Sequence, residues 1–334
     1  MKRIFFAIIS AISAIMLTSC ANSPTKSQEN FFAMDTYMTV EAYGENAEKA
    51  VLEAKEAVVN LEKLLSVNDE NSEIYAVNHG KSPDLSEETL DLITLSLDIA
   101  EKTHGAFDPT VYPITVAWGF TTDEKHVPES GEIVSLLEKV GYEKAFVSGK
   151  KVVLQEGMTL DFGGIAKGYA SDKCAEIMRE NGVESAIINL GGNVYALGKR
   201  PDGNLWRIGV ADPSGEGVED RVGLLSVSDC AVVTSGNYQR CFTQNGITYG
   251  HIIDPKTGYP ADNDLLSVTV VAADGTLCDA LSTALFVMGL EEAEKFCREN
   301  GGFDVILIAK DGEIYVTEGL SDKFTSERTV HTIS

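Results

Sequence analysis

Phe303-Asp304-Val305-Ile306-Leu307-Ile308-Ala309-Lys310-Asp311-Gly312-Glu313-Ile314-Tyr315-Val316-Thr317 reads as two apolar, β-branched runs joined by Asp-Gly. Asp-Gly tolerates the positive φ angles of a tight hairpin turn, so the runs are expected to pair antiparallel. Similar segments lie at 37–42, 185–190, 205–210, 223–228 and 266–272, most of them beyond residue 185 with short turns between several. Parallel neighbours need long crossovers, so this crowding favours an α+β fold with mixed, partly antiparallel sheets over a doubly wound parallel sheet.

The helices are read from period and caps. Ala47, Ala50, Val51, Ala54, Val58, Leu61 and Leu65 recur at three- and four-residue steps, giving an amphipathic helix over 46–65. Ser86, followed by Glu87 and Glu88, opens a second helix that runs to about Thr103, before Gly105. Others are expected at 130–140, from Gly163-Gly164 to about Gly182, at 277–288 and at 290–299. No repeat, low-complexity tract or Pro/Ser-rich linker divides 31–334, which is expected to be a single compact unit of one or two subdomains.

The chain has 334 residues, 44% hydrophobic and 23% charged, which excludes disorder, collagen and a multi-span membrane protein. With 27 Lys+Arg against 51 Asp+Glu the net charge is −24, so a nucleic-acid partner is not expected. A phosphorylated ligand would need the protein's carboxylates screened, most simply by a divalent cation that some of them hold.

Lys2 and Arg3 precede an apolar run from Ile4 to Leu17 and then Thr18-Ser19-Cys20, the order of a secretory signal. Leu17-Thr18-Ser19-Cys20 resembles the bacterial lipobox, which makes residues 1–20 a lipoprotein signal peptide and Cys20 the lipidated first mature residue of an extracytoplasmic, membrane-anchored protein. Residues 21–30 are small and polar and are read as a tether. Cys174, Cys230, Cys241, Cys278 and Cys297 show no metal-ligand or CxxC spacing and read as small buried hydrophobes.

Four stretches carry chemistry. Gly105-Ala106-Phe107-Asp108-Pro109-Thr110 ends a helix on an Asp-Pro turn. Asp161-Phe162-Gly163-Gly164-Ile165-Ala166-Lys167-Gly168 opens a helix with two glycines and a lysine, either an anion seat or a tight structural turn. Thr234-Ser235-Gly236 and His251-Ile252-Ile253-Asp254-Pro255-Lys256-Thr257-Gly258 set His251 at a loop, as a catalyst or as an ordinary surface residue. In Cys278-Asp279-Ala280-Leu281-Ser282-Thr283, Asp279 and Thr283 share a helix face and can meet one cation; a hydrogen-bond network or a helix cap are the other readings of Asp279.

In order along 31 to about 320, these stretches resemble the ApbE-type lipoprotein FAD:protein FMN transferases. Met34-Asp35-Thr36, Ser72-Glu73-Ile74, Trp118-Gly119-Phe120 and Asn189-Leu190-Gly191-Gly192-Asn193 add to the match. The resemblance implies an Mg²⁺-dependent enzyme that moves FMN from FAD to a Thr or Ser hydroxyl of an acceptor protein by a phosphoester bond, releasing AMP. It assigns flavin contacts to Met34, Ala106, Phe107, Asp108, Asp161, Lys167 and Ile253, and Mg²⁺ to the Gly164 carbonyl, Asp279 and Thr283. His251 is implied as the proton acceptor for the incoming hydroxyl, with transfer falling below about pH 6.5 for an unperturbed imidazole and shifted by burial or by a carboxylate such as Asp254. Two positions depart from the pattern: Ser282 stands where some members have a second Asp, and Asn68 takes a flavin-site position often filled by Tyr. Asn68 opens the alternative of FAD hydrolysis to FMN and AMP, and a lipid-anchored protein that binds flavin without chemistry is the other alternative.

Overall fold

The computed structural model describes residues 24–122, 124–215, 217, 220–238 and 240–333. The signal peptide and Cys20 lie outside the described residues. In chain order the elements are β1 (Lys26–Ala33), β2 (Thr36–Tyr43), α1 (Ala47–Leu65), α2 (Glu73–Asn78), α3 (Glu87–Lys102), α4 (Tyr112–Ala117), α5 (Ser130–Leu137), β3 (Ala145–Ser148), β4 (Lys151–Leu154) and α6 (Ala166–Glu180). Then follow β5 (Ser185–Leu190), β6 (Asn193–Gly198), β7 (Trp206–Ala211), β8 (Arg221–Val227), β9 (Cys230–Gly236), β10 (Cys241–Gln244), β11 (Ile247–Gly250) and β12 (Leu265–Ala272). The chain closes with α7 (Gly275–Met288), α8 (Leu290–Glu299), β13 (Asp304–Ala309), β14 (Ile314–Thr317), β15 (Phe324–Ser326) and β16 (Val330–Ile333).

A nine-stranded sheet in the order β1-β2-β5-β6-β9-β12-β13-β14-β16 forms the centre, antiparallel except where β14 meets β16. The fold is therefore α+β with mixed sheets. Its middle strands are apolar at successive positions because both faces are covered. Val305 and Leu307 point into the main core with α1, α6 and α7, whereas Ile306 and Ile308 point into a second core against the three-stranded sheet β15-β8-β7. A third, smaller cluster of Ile114, Trp118, Ile133, Val140 and Ile253 joins α4 and α5 to the loop after β11.

The amphipathic stripe of α1 is buried as its spacing predicts, and Ser86 caps α3 by accepting the Thr89 N–H. The five described cysteines are free thiols. One boundary differs from the sequence reading: residues 26–30 are not tether but the first half of β1, paired with Thr39–Tyr43 of β2. Their polarity suits an edge strand, where Lys55 pairs with Glu29 at 2.8 Å and Lys26 with Glu41 at 2.7 Å.

Helices α6 and α7 cross in close contact at two glycines. A Cβ on Gly168 would lie 2.2 Å from the Gly275 carbonyl oxygen, so only glycine lets the backbones meet. Each helix then supplies a carboxylate to the start of the other. Asp172 of α6 accepts the N–H groups of Gly275 and Thr276 at 2.7 and 2.8 Å, and Asp279 of α7 accepts the Gly168 N–H at 2.9 Å. Asp172→Ala strands two N–H groups at the α7 terminus and is expected to cost about 2 kcal/mol, with Asp172→Asn costing less. Urea unfolding checks this; an unchanged midpoint in the alanine variant would remove Asp172 from the clamp.

Candidate active site

The site gathers where α6 begins against the second and third turns of α7, at the end of the sheet where β9 finishes and the β5–β6 turn lies. Asn78 holds the approach to α6 by two bonds with the Leu160 backbone, at 2.7 and 2.8 Å, and the Asp161 N–H donates to the Pro109 carbonyl at 2.9 Å. The Asp-Pro turn and the double-glycine turn are thereby locked together. A Cβ on Gly164 would lie 3.3 Å from the Phe107 ring and 3.6 Å from Thr283 Oγ1, so the second glycine lets α7 and Phe107 close on the turn.

The first turn of α6 is wired unusually. The Gly168 N–H would ordinarily bond the carbonyl four residues back, that of Gly164, but it donates to Asp279 Oδ2 instead. Tyr169 bonds Ile165 in the regular way, and among the described residues no hydrogen bond reaches the Gly164 carbonyl. The result is a carbonyl without a hydrogen bond on the turn that packs against Thr283, next to the Gly168 N–H that Asp279 holds. Lys167 completes the group, with Nζ 3.2 Å from the Gly163 carbonyl and 3.9 Å from Asp279 Oδ2. Asp274 caps α7 through the Leu277 N–H, so Asp279 is in the second turn and is not the helix cap.

One carboxylate, one hydroxyl and one free carbonyl are hard oxygen donors, which suit Mg²⁺ when waters and phosphate oxygens complete its shell. Among the described residues no three His, Cys, Asp or Glu side chains gather as a metal cluster, so this set relies on backbone and hydroxyl oxygens. The helix terminus itself is less open to an anion than the glycines suggest. Ile165 and Ala166 already donate to the Phe162 carbonyl and Gly168 to Asp279, leaving Lys167 as the main cationic partner.

His251 follows β11. Asn237 fixes its loop, accepting the Ile252 N–H at 3.0 Å and donating to the Ala261 carbonyl at 3.2 Å. The imidazole meets Phe120 edge-on at 6.5 Å, and its buried Nδ1 has no partner. Burial, with the positive charges of Arg240 and Lys167, pushes it from 6.5 down to about 4. Asp254 does not counter this, because its carboxylate accepts the Lys256 N–H and the Thr257 hydroxyl within its own turn. The unperturbed midpoint of 6.5 is therefore corrected. At pH 6 the ring in the free enzyme is ~99% neutral. Activity measured as kcat/KM is expected to hold from pH 8 to about 5 and to fall as pH drops through about 4. A phosphate-bearing substrate adds negative charge nearby, so the acid limb of kcat should lie at higher pH than that of kcat/KM. Half-loss of kcat/KM at 6.5 would contradict this assignment.

Other expected flavin contacts fall into different settings. Met34 is half-buried at a β1–β2 turn in which both Met34 and Asp35 have positive φ, and its N–H donates to Glu62 at 2.7 Å. Ala106, Phe107 and Ile253 are buried, the last in the third core cluster. Burial pushes the Asp161 carboxyl pKa up, against the Gly163 N–H and Lys167. The Asp108 carboxylate accepts the Thr110 N–H and hydroxyl and the Tyr142 N–H through bonds of 2.6 to 2.9 Å. It ties the Asp-Pro turn to the residues after α5. Asn68 is exposed on the loop leaving α1, its N–H on Ser66 Oγ, and no hydrogen bond among the described residues joins it to the cluster. Sequence reasoning missed Asn78 and Asp172, whose partners are remote in the chain, and gave no role to Asn237, which stands next to Thr234-Ser235-Gly236.

A lysine beside bare oxygen donors, with a neutral imidazole near that lysine's charge, equips an enzyme for group transfer from a phosphorylated substrate. The chain belongs to the ApbE family, whose family model matches residues 34–307. It is 34% identical over 312 residues, 86% of each chain, to the FAD:protein FMN transferase of Treponema pallidum. The crystal structure of the ApbE protein of Thermotoga maritima superposes with a TM-score of 0.83 at 33% identity, covering 91% of this chain and 100% of that one. The flavin transferase ApbE of Vibrio cholerae gives 0.81 at 26% identity, covering 90% and 99%.

Proposed function

We propose that this protein is an Mg²⁺-dependent FAD:protein FMN transferase that links FMN by a phosphoester bond to a Thr or Ser hydroxyl of an acceptor protein and releases AMP. It is a transferase, as its curated relatives are. The observation that carries the finer reading is the diverted Gly168 N–H, which goes to Asp279 and frees the Gly164 carbonyl of a turn that packs against Thr283. These three groups would hold Mg²⁺. When bound, the cation neutralises charge on the phosphoanhydride as it breaks. Lys167 adds a fixed positive charge on the same side, and Phe107 closes the back of the turn against water. His251, neutral at physiological pH, takes the proton of the attacking hydroxyl.

Incubation with FAD and Mg²⁺, with and without a flavinylatable acceptor, tests the reading by assaying AMP and covalent flavin. AMP and covalent flavin together, and only with acceptor, are expected. AMP without acceptor would make the enzyme an FAD pyrophosphatase, the reading that Asn68 in place of the common Tyr favours; neither product would leave a flavin-binding protein.

The same proposal places the enzyme outside the cytoplasm, anchored through Cys20. Wild type should sediment with membranes and Cys20→Ala should not. Equal recovery of both in the membrane fraction would refute the anchor.

A further inference from the structure

Behind Thr283 stands a chain of hydroxyls that nothing above uses. Ser282, wholly buried, has Oγ 2.8 Å from the Asp279 carbonyl, to which it donates. Ser235 Oγ, at the end of β9, lies 2.7 Å from Ser282 Oγ and 3.3 Å from Thr283 Oγ1. A hydroxyl has a single proton to donate, so the order of the protons along the chain follows from its fixed end. Ser282 spends its proton on the carbonyl and can only accept from Ser235. Ser235 spends its proton on Ser282 and can only accept from Thr283. The Thr283 proton is thereby drawn towards Ser235, and the remaining lone pairs of Oγ1 are left for the side where Gly164 lies. A helical threonine commonly turns its proton back to the carbonyl four residues earlier, here that of Asp279, which Ser282 already occupies.

We infer that Ser235 and Ser282 are positioning residues that polarise Thr283, presenting its oxygen as an acceptor-only ligand to the divalent cation. Ser282 thus serves the cation without touching it. The inference rests on the cation site proposed above and adds to it two residues outside the ligand set. With Ser235 removed, Thr283 is free to turn its proton towards the cation, which repels it. Loss of Ser282 also vacates the Asp279 carbonyl, to which Thr283 can then donate, so Ser235 is the position whose removal tests the relay.

Free Mn²⁺ measured by electron paramagnetic resonance, titrated into the full-length protein without flavin, tests this. Ser235→Ala is expected to weaken Mn²⁺ binding about 10-fold or more, the usual effect of removing a group that orients a ligand. Ser235→Thr keeps the hydroxyl and should restore binding. Melting without metal, close to wild type, separates orientation from unfolding. Asp279→Asn separates the two layers of the argument. If Asp279→Asn abolishes Mn²⁺ binding but Ser235→Ala binds as wild type does, the relay is overturned and the cation site stands. If Asp279→Ala binds Mn²⁺ normally, the cation is not held here and both fall. Failure of Ser235→Thr to restore binding overturns the relay as well.

Discussion

Asp279→Ala is expected to lower cation-dependent turnover of FAD by about 10³-fold or more, equivalent to ~4 kcal/mol of lost transition-state stabilisation. The effect exceeds that of losing one ligand because Asp279 has two tasks. Its Oδ2 also holds the Gly168 N–H away from the Gly164 carbonyl. In the alanine variant that N–H is released and completes the regular helical bond to Gly164, so a second oxygen donor disappears with the first. Asp279→Asn distinguishes the tasks: its amide oxygen can still accept the Gly168 N–H, yet the charge is gone. If charge at the cation dominates, both variants fail alike; if the wiring of α6 dominates, the asparagine variant keeps much of the activity. Initial rates over a Mg²⁺ series, with melting curves to confirm folding, provide the measurement. An alanine variant with wild-type Mg²⁺ dependence would exclude Asp279 as a ligand.

His251→Ala is expected to slow covalent flavin transfer by about 10²- to 10⁴-fold while FAD affinity stays within a few-fold, since a general base acts in the transition state. The buried Nδ1, which has no partner in the structure, argues for this role. A packing role predicts otherwise. The ring meets Phe120 edge-on, and if that contact were its purpose the variant would lose stability and FAD affinity together and transfer normally once saturated. Single-turnover rates at saturating FAD and acceptor, beside a binding titration, decide between them. An unchanged rate would strike His251 from the mechanism. His251→Ala should also lack the acid limb near pH 4 expected of the wild type in kcat/KM.

What was legible in the sequence is what local patterning controls. The stripe of α1, the Ser86 cap and the Asp311-Gly312 turn each rest on residues within a few positions of one another, and the structure places them as read. β1 was not legible, because an edge strand buries little and Lys26 to Asn30 find their partners on β2 and α1. In the site, Asp279 and Thr283 were readable from their four-residue spacing on one helix. The anchoring of Asp108 was not, because nothing next to a turn carboxylate in the sequence shows that the Tyr142 N–H will reach it. Asp172, Asn237 and Ser235 act through residues 15 to about 100 positions away, and no local signal marks such pairs. The acidity of His251 depends on burial and on the charges of Arg240 and Lys167, which only the folded chain brings near.

The strand order of the large sheet also bears on how the chain acquires its structure. β2 finds its inner neighbour only in β5, with Met38 opposite Leu190, about 150 residues further on. Until β5 exists, the hairpin of β1 and β2 has no sheet to join, and the apolar stripe of α1 has no α6 to cover it. From β5 onwards the neighbours come at shorter intervals, through β6, β9, β12, β13 and β14. Distant pairings require loops to close before any contact compensates for the lost chain entropy, which slows folding. The second half of the polypeptide is thus the template, and the first half remains uncommitted, with hydrophobic side chains exposed, for most of the time the ribosome takes to finish it.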